Sequence, residues 1–265
     1  MRNLFQVMML LFITAGLTAA AGPLAEADAS AIKTHVLEKK GGNWTWVFYG
    51  DSITHGAAHT DGWRSFPEIF GEMIRYEHHL YYDVVVNTGI SGQTALELTN
   101  PKDYEWRVRR FRPNVVFILI GCNDIVRFKD AGGVAVFRQR LEKLVDMVRA
   151  DGAIPVLQTY NTIKHIPNPK DDNERRYLLR YNEFPAYNDA IRQVAAAKDT
   201  ILADHQKHWE EAAGSLDAPP SWLGEPIHPG GKGHQEMALV IAKTLDIYNQ
   251  RLPSLRLPVG TPPAK

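Results

Sequence analysis

Short apolar segments alternate with amphipathic helical segments along most of this 265-residue chain. The apolar segments are rich in β-branched and aromatic residues and have the length of buried strands. The connections between them can hold helices, so the alternation predicts a parallel sheet with right-handed crossovers. We expect an α/β fold of three layers, α/β/α, with about five strands and helices on both faces. The predicted strands are residues 44–49, 81–86, 115–120, 154–159 and 200–203.

Helices are predicted between these strands, most clearly over residues 134–149, where apolar residues recur along one side. Residues 161–176 are polar and hold two prolines, so we expect a long loop that binds a ligand or lacks order. The sequence has no internal repeat, glycine-rich phosphate loop or domain linker, which indicates one domain. The other predicted helices are residues 65–79, 103–111, 181–197 and 232–248, and one that starts near residue 205.

The charge balance excludes several classes of partner. The chain has 30 basic and 30 acidic side chains and a pI of about 7.2, so it lacks the charge bias of proteins that bind nucleic acid or anionic membranes. Its one cysteine, Cys122, excludes an intramolecular disulfide and a cysteine-built zinc site. His205 and His208 would share a helix face, but no acidic or cysteine cluster accompanies them, so no metal is expected.

The N-terminal residues 1–21 have the pattern of a signal peptide. Arg2 provides a positive start, residues 4–17 are apolar, and alanines at 19–21 offer a cleavage site. Because the apolar stretch is short for a transmembrane span, we expect an exported protein, secreted or periplasmic, with no stable membrane insertion after cleavage. A later cleavage site is possible, up to residue 29. The folded domain is then expected over residues 30–250, starting with a polar lead-in, and a proline-rich tail over 251–265.

The first predicted strand ends abruptly at Gly50-Asp51-Ser52. Ligands of open α/β sheets bind at the carboxyl ends of the strands, which makes Ser52 a candidate nucleophile. The alternative interpretation is that Asp51 and Ser52 only cap a helix, as such residues often do.

Polar or glycine-rich turns at three predicted strand ends contain Ser52, Gly92 and Asn123. A parallel sheet would open all three on the same edge, and a late loop adds Glu225 and His228. A serine hydroxyl needs a base, which His228 could be, and Glu225 could accept the other ring N–H and fix the tautomer. The oxyanion of acyl transfer needs donors, which the N–H groups of Ser52 and Gly92 and the amide of Asn123 could supply.

Four motifs in this order resemble those of the SGNH (GDSL-type) hydrolases, over about residues 47–245. They are Gly50-Asp51-Ser52-Ile53, Gly89-Ile90-Ser91-Gly92, Gly121-Cys122-Asn123-Asp124 and Ile227-His228-Pro229. The resemblance places Ser52 at the nucleophile, Gly92 and Asn123 at the oxyanion hole, and His228 at the base. It implies a cofactor-free carboxylic ester hydrolase with a flavodoxin-like fold.

One position departs from the family, which usually has aspartate three residues before the histidine, where this chain has Glu225. Glutamate is the acid in other serine hydrolases, so we expect Glu225 to orient His228. The alternative is a solvated glutamate, with His228 oriented by a backbone carbonyl. Substrate contacts are expected from Asp51, Tyr160, Asn161 and Trp222, which border the predicted cleft.

The resemblance and the export signal together favour short-chain esters, chiefly O-acetyl groups of carbohydrates, cleaved through an acyl-enzyme. The alternatives are a lipase, lysophospholipase or acyl-thioesterase that acts on lipid esters, a non-catalytic carbohydrate-binding protein of the same fold, and an enzyme that transfers the acyl group to a sugar. The Gly-x-Ser-x-Gly motif of other lipases and esterases does not occur.

Overall fold

A computed structural model describes residues 22–57, 59–60, 62–128, 133–219, 221–251 and 253–255. The predicted signal peptide and residues 256–265 of the predicted tail lie outside this part of the chain. Five parallel strands form one sheet in the order β2-β1-β3-β4-β5. They are β1 Thr45–Gly50, β2 Val84–Asn87, β3 Val115–Leu119, β4 Ile154–Gln158 and β5 Ile201–Ala203.

Helices fill the connections between the strands and flank the sheet. Within the described ranges, none of them is long and apolar enough to cross a membrane. The helices are α1 Pro23–Glu38, α2 Ser52–His55, α3 Phe66–Glu72, α4 Ala95–Leu98, α5 Pro101–Arg107, α6 Cys122–Arg127, α7 Gly133–Ala150, α8 Asp172–Ala197, α9 His205–Ala213 and α10 Gly231–Thr244. A π-helical segment Met73–Glu77 extends α3, and 3₁₀ turns cover Arg109–Phe111 and Pro253–Leu255.

The predicted fold class is confirmed. Successive side chains of a strand point to opposite faces of the sheet, and every residue of β3 is buried, so helices cover both faces. The strand order reverses between β1 and β3, where a flavodoxin-like sheet opens a crevice for ligands. The turns after these two strands contain Ser52 and Asn123.

Aromatic packing fixes β1 against β3. The rings of Phe48 and Phe117 stack with centroids 4.3 Å apart, and Phe70 meets both rings edge-on. Each of these side chains is fully buried, and burying a phenylalanine contributes about 1.5–3 kcal/mol. The same two strands pair Gly50 with Leu119, so this packing sets the relative position of the two turns.

The interpretation of the N-terminal segment as a polar lead-in is wrong. Residues 23–38 form α1, whose Ile32 and Val36 are buried in the core. Asp28 forms an ion pair with Arg149 of α7 at 2.5 Å. The folded domain therefore includes residues before position 30, and cleavage at residue 29 would cut through a packed helix.

Helix α8 is longer than predicted, because it begins at Asp172 inside the expected loop. The Asp171 carboxylate caps it by accepting a hydrogen bond from the N–H of Glu174 at 2.8 Å, and the carboxylate of Glu174 accepts from the N–H of Lys170. Pro185 lies within the helix. The first half of α8 is exposed or half-buried, whereas the second half buries one side from Phe184 onward.

Candidate active site

Ser52 lies where β1 ends and α2 begins. Gly50 is needed here for space, since a Cβ would lie 2.4 Å from the carbonyl oxygen of Leu119. Asp51 is the N-cap and accepts a hydrogen bond from the N–H of Ile53 at 3.1 Å. Asp51 therefore caps α2, and the hydroxyl of the half-buried Ser52 is available to another partner.

That partner is His228. Its Nε2 lies 2.8 Å from Oγ of Ser52, and its Nδ1 is hydrogen-bonded to Oε1 of Glu225. A carboxylate only accepts hydrogen bonds, so Nδ1 carries the proton and Nε2 is free to accept one from the serine. The structure thus brings together the three residues predicted as nucleophile, base and acid.

Glu225 and His228 belong to one tight turn. Gly224 donates its N–H to the carbonyl of His228 at 3.0 Å, and a backbone bridge joins Leu223 to Pro229. The carboxylate also accepts a hydrogen bond from the hydroxyl of Tyr177 at 3.3 Å. The glutamate is therefore neither free in solvent nor replaced by a backbone carbonyl.

Burial lowers the pKa of the His228 ring, and the nearby charges of His59, Arg180 and His234 act in the same direction. The Glu225 carboxylate opposes them, because it stabilises the imidazolium form. The net lowering keeps the ring neutral at neutral pH, which is the form that can take a proton from a hydroxyl.

The two predicted oxyanion residues lie at neighbouring turns. Gly92 has φ of +83°, a conformation that favours glycine, although a Cβ there would meet nothing within 4 Å. Nδ2 of Asn123 donates to the carbonyl of Gln93 at 3.0 Å and lies 3.5 Å from Oδ2 of Asp51. As the first residue of α2, Ser52 has an N–H without an acceptor inside the helix. The roles of these donors remain predictions.

Asp51, Tyr160 and Asn161, three of the predicted substrate contacts, have side chains that are at most 1% exposed and contact protein groups. The hydroxyl of Tyr160 donates to Oδ2 of Asp51 at 2.5 Å, and Nδ2 of Asn161 bonds the carbonyl of Thr162. Burial raises the pKa of Asp51 to about 6, while the Tyr160 hydrogen bond lowers it. Substrate contacts by these three residues stay predictions.

Trp222, the fourth predicted contact residue, is half-buried. Its ring packs edge-on against Trp209 at 5.1 Å and stacks with His208 at 5.6 Å. A substrate contact by Trp222 stays a prediction.

The sequence interpretation missed His59, whose ring stacks on that of His228 with centroids 3.7 Å apart. His59, Glu225 and His228 are the one group of potential metal ligands found in the described ranges, with ligand atoms within 4.8 Å of one another. The two ring nitrogens of His228 are already hydrogen-bonded to Ser52 and Glu225. Because the rings of His59 and His228 are stacked, their nitrogen lone pairs lie in parallel planes and do not converge on one point. A metal would therefore have to displace the Ser52–His228–Glu225 chain.

The sequence interpretation also missed two residues of α8. Tyr177 contacts Glu225, and Arg180 contacts the turn after β3. Nε of Arg180 donates to the carbonyl of Cys122 at 3.1 Å. The available signal was Asp171-x-x-Glu174, a spacing typical of helix starts, which would have begun the helix early enough to include both residues.

Comparisons with known proteins found relatives in sequence and solved structures of similar fold. A multidomain esterase of Ruminococcus flavefaciens is 23% identical over 235 residues, or 75% of this chain and 28% of that protein. An uncharacterized Mycoplasma pneumoniae protein is 32% identical over 106 residues, or 39% of this chain and 12% of its own length. The chain thus spans under a third of these curated relatives. The solved structure of a catalytic mutant of Axe2, an acetylxylan esterase from Geobacillus stearothermophilus, shares the fold, with a TM-score of 0.62 at 21% identity over 79% of this chain and 97% of that one.

A family model also matches most of this chain. The model of the GDSL-like lipase/acylhydrolase family matches residues 48–236, which include the turns that contain Ser52, Gly92 and Asn123 and the loop of His228. The chain therefore belongs to the GDSL-like lipase/acylhydrolase family, a family of carboxylic ester hydrolases.

Proposed function

We propose that this protein is a serine esterase that removes short acyl groups, chiefly O-acetyl groups of carbohydrates, through an acyl-enzyme. The observation that carries the proposal is the hydrogen bond of 2.8 Å between Oγ of Ser52 and Nε2 of His228, whose other nitrogen is bonded to Glu225. A hydroxyl aligned in this way with a neutral imidazole can be deprotonated as it attacks a carbonyl.

In the proposed reaction, Oγ of Ser52 attacks the ester carbon while its proton moves to Nε2 of His228. Glu225 stabilises the imidazolium that forms. The oxyanion accepts hydrogen bonds from the Ser52 and Gly92 N–H groups and from the Asn123 amide. His228 then donates the proton to the leaving alcohol, and a water molecule repeats the sequence to hydrolyse the acyl-enzyme.

Polar side chains around Ser52 favour a small acyl group on a polar alcohol. His59, Arg180 and Asn123 all lie within hydrogen-bonding or stacking range of the proposed catalytic groups. Desolvating such groups against a long alkyl chain would be costly, which argues against lipid esters. Acetylated xylan, on which the esterase of similar fold acts by name, is the first polymer to test.

We also propose that the protein is exported after cleavage at residue 21 or close to it. This position leaves α1 whole, whereas the later site would remove Ala25 and Asp28, both buried against the domain. We propose that the mature protein has one folded domain, which begins at α1.

The test is a Ser52→Ala variant assayed with p-nitrophenyl acetate and with acetylated xylo-oligosaccharides. We expect a loss of about 10⁴-fold or more in kcat with unchanged thermal unfolding. Ser91→Ala is the matched control, because Ser91 is an exposed serine on a neighbouring turn, bonded to His55 at 3.1 Å. Turnover by Ser52→Ala within tenfold of wild type would refute the proposal. Labelling by a fluorophosphonate separates an enzyme from a binding protein of the same fold, and product analysis with a sugar acceptor separates hydrolysis from acyl transfer.

A further inference from the structure

The first half of α8 lies beside the candidate site. Tyr177 and Arg180 are three residues apart and therefore lie on the same side of the helix. Tyr177 bonds Glu225 in the late turn, and Arg180 bonds the carbonyl of Cys122 at the start of α6. One helix thus contacts both the loop with the acid and base and the turn that contains Asn123.

The amide of Asn123 can be oriented in two ways, and its neighbours favour one. Nη2 of Arg180 lies 3.5 Å from Oδ1 of Asn123, and the carbonyl of Gln93 lies 3.0 Å from Nδ2. A guanidinium can only donate and a carbonyl can only accept, so a flipped amide would face a mismatch at both ends. The orientation that results points the NH₂ group toward Asp51, the residue before Ser52.

The charge of Arg180 reaches the same groups. The guanidinium is half-buried, and its positive charge acts with burial and with His59 to lower the pKa of His228. A positive charge at this place disfavours the imidazolium, but it favours negative charge that develops on an oxygen held by Asn123. The effect on catalysis is therefore expected at the oxyanion.

We propose that Arg180 is a positioning residue of the oxyanion hole, which holds the amide of Asn123 with its donor end toward the reacting carbonyl. This inference rests on the proposed function. Arg180 itself acts through Asn123 and need not contact the substrate.

The experiment compares Arg180→Met, Arg180→Lys, Asn123→Ala and the double variant Asn123→Ala/Arg180→Met in ester hydrolysis. We expect Arg180→Met to lower kcat about 10-fold to 100-fold with KM within about threefold, because removal of one oxyanion donor costs about 10²–10³-fold. Arg180→Lys keeps the positive charge but cannot contact both the carbonyl of Cys122 and Oδ1 of Asn123, so kcat should fall less than in Arg180→Met. In the Asn123→Ala background the Met substitution should cost less than about threefold, as expected when two residues act through one interaction.

The pH profile gives a readout that a purely structural role would not change. The groups that face His228 are Glu225, His59, His234 and Arg180. Loss of the Arg180 charge should move the acid limb of kcat/KM to higher pH in the Met variant and leave it in place in the Lys variant. Arg176→Met, an exposed arginine on the same helix, should retain wild-type rates. Thermal unfolding checks that each variant is folded.

Two results would overturn the inference: a kcat of Arg180→Met within twofold of wild type, or an equal loss from the Met substitution with and without Asn123. An unchanged acid limb in Arg180→Met would contradict the direct effect of the Arg180 charge on His228. Wild-type activity of Asn123→Ala would instead contradict the proposed oxyanion hole itself. The two failures are therefore distinguishable.

Discussion

Replacement of Glu225 by glutamine tests the acid that departs from the family pattern. The carboxylate accepts the Nδ1–H of His228 and also the hydroxyl of Tyr177. Glutamine keeps the shape but loses the charge, and its NH₂ group can face Nδ1. That contact would favour the tautomer with the proton on Nε2, which cannot take the proton of Ser52.

The expected loss of kcat in Glu225→Gln depends on how strongly the Glu225 carboxylate acts on His228. A hydrogen bond to a charged group is worth about 1.5–3 kcal/mol, or about 10-fold to 150-fold in rate. The change of tautomer adds to this loss. In a serine protease, replacing the fully buried acid by its amide lowers kcat about 10⁴-fold. The side chain of Glu225 is 34% exposed, so solvent screens its charge. We therefore expect kcat to fall about 10²-fold to 10³-fold.

The assay is steady-state hydrolysis of p-nitrophenyl acetate across pH, with Glu225→Asp as the matched control. The aspartate restores the charge and the usual family residue at a shorter reach, so it should retain more activity than the glutamine. Because the carboxylate stabilises the imidazolium, its removal should also move the acid limb of kcat/KM to lower pH. A loss below about tenfold in Glu225→Gln would contradict the assigned role.

Three further predictions concern pH and stability. Since burial lowers the pKa of His228 from its usual 6.5, the acid limb of wild-type kcat/KM should have its midpoint below pH 6.5, and a midpoint above 7 would contradict this cause. Tyr160→Phe removes the donor to buried Asp51 and should cost about 1.5–3 kcal/mol in urea unfolding at pH 8. The folded-state pKa of Asp51 is raised, to about 6, so the carboxylate is charged above that pH and the loss should shrink as the pH falls to 5; an equal loss at both pH values would argue against a charged partner. A chain that begins at residue 30 should unfold at least about 2–4 °C below one that begins at residue 22, the shift expected in a domain of this size for a loss of about 1 kcal/mol, because it loses the Asp28 ion pair and half of α1. Equal midpoints would show that this half of α1 adds no stability.

The sheet and its turns could be predicted because their signals are local. The run of residues 115–120 is apolar throughout, and β3 occupies Val115–Leu119. The turn after β1 has a glycine where a Cβ would collide, so the motif at Gly50 marks a geometric need as well as a family likeness. These signals also located the residues that meet at the strand ends.

The sequence did not reveal burial that depends on distant segments. Tyr160 follows β4 in a stretch that looks like a cleft loop, but Asn188 of α8 accepts its N–H at 2.8 Å and holds it inside. The start of α1 is ordered by Asp199, whose carboxylate accepts the N–H of Leu24 at 2.7 Å across 175 positions of sequence. Neither contact has a local pattern, and the same holds for the ring of His59 above His228.

The short turn that contains Glu225 and His228 has a consequence for how such enzymes diverge. Glu225 and His228 are three positions apart in a turn closed by its own backbone hydrogen bonds, so we expect the two residues to move together. Insertions or deletions elsewhere in the chain leave the relative positions of Glu225 and His228 unchanged. The turn can also accommodate the additional methylene of glutamate. Exchanging this turn between homologues should therefore exchange the acidic residue without changing the sheet that positions Ser52.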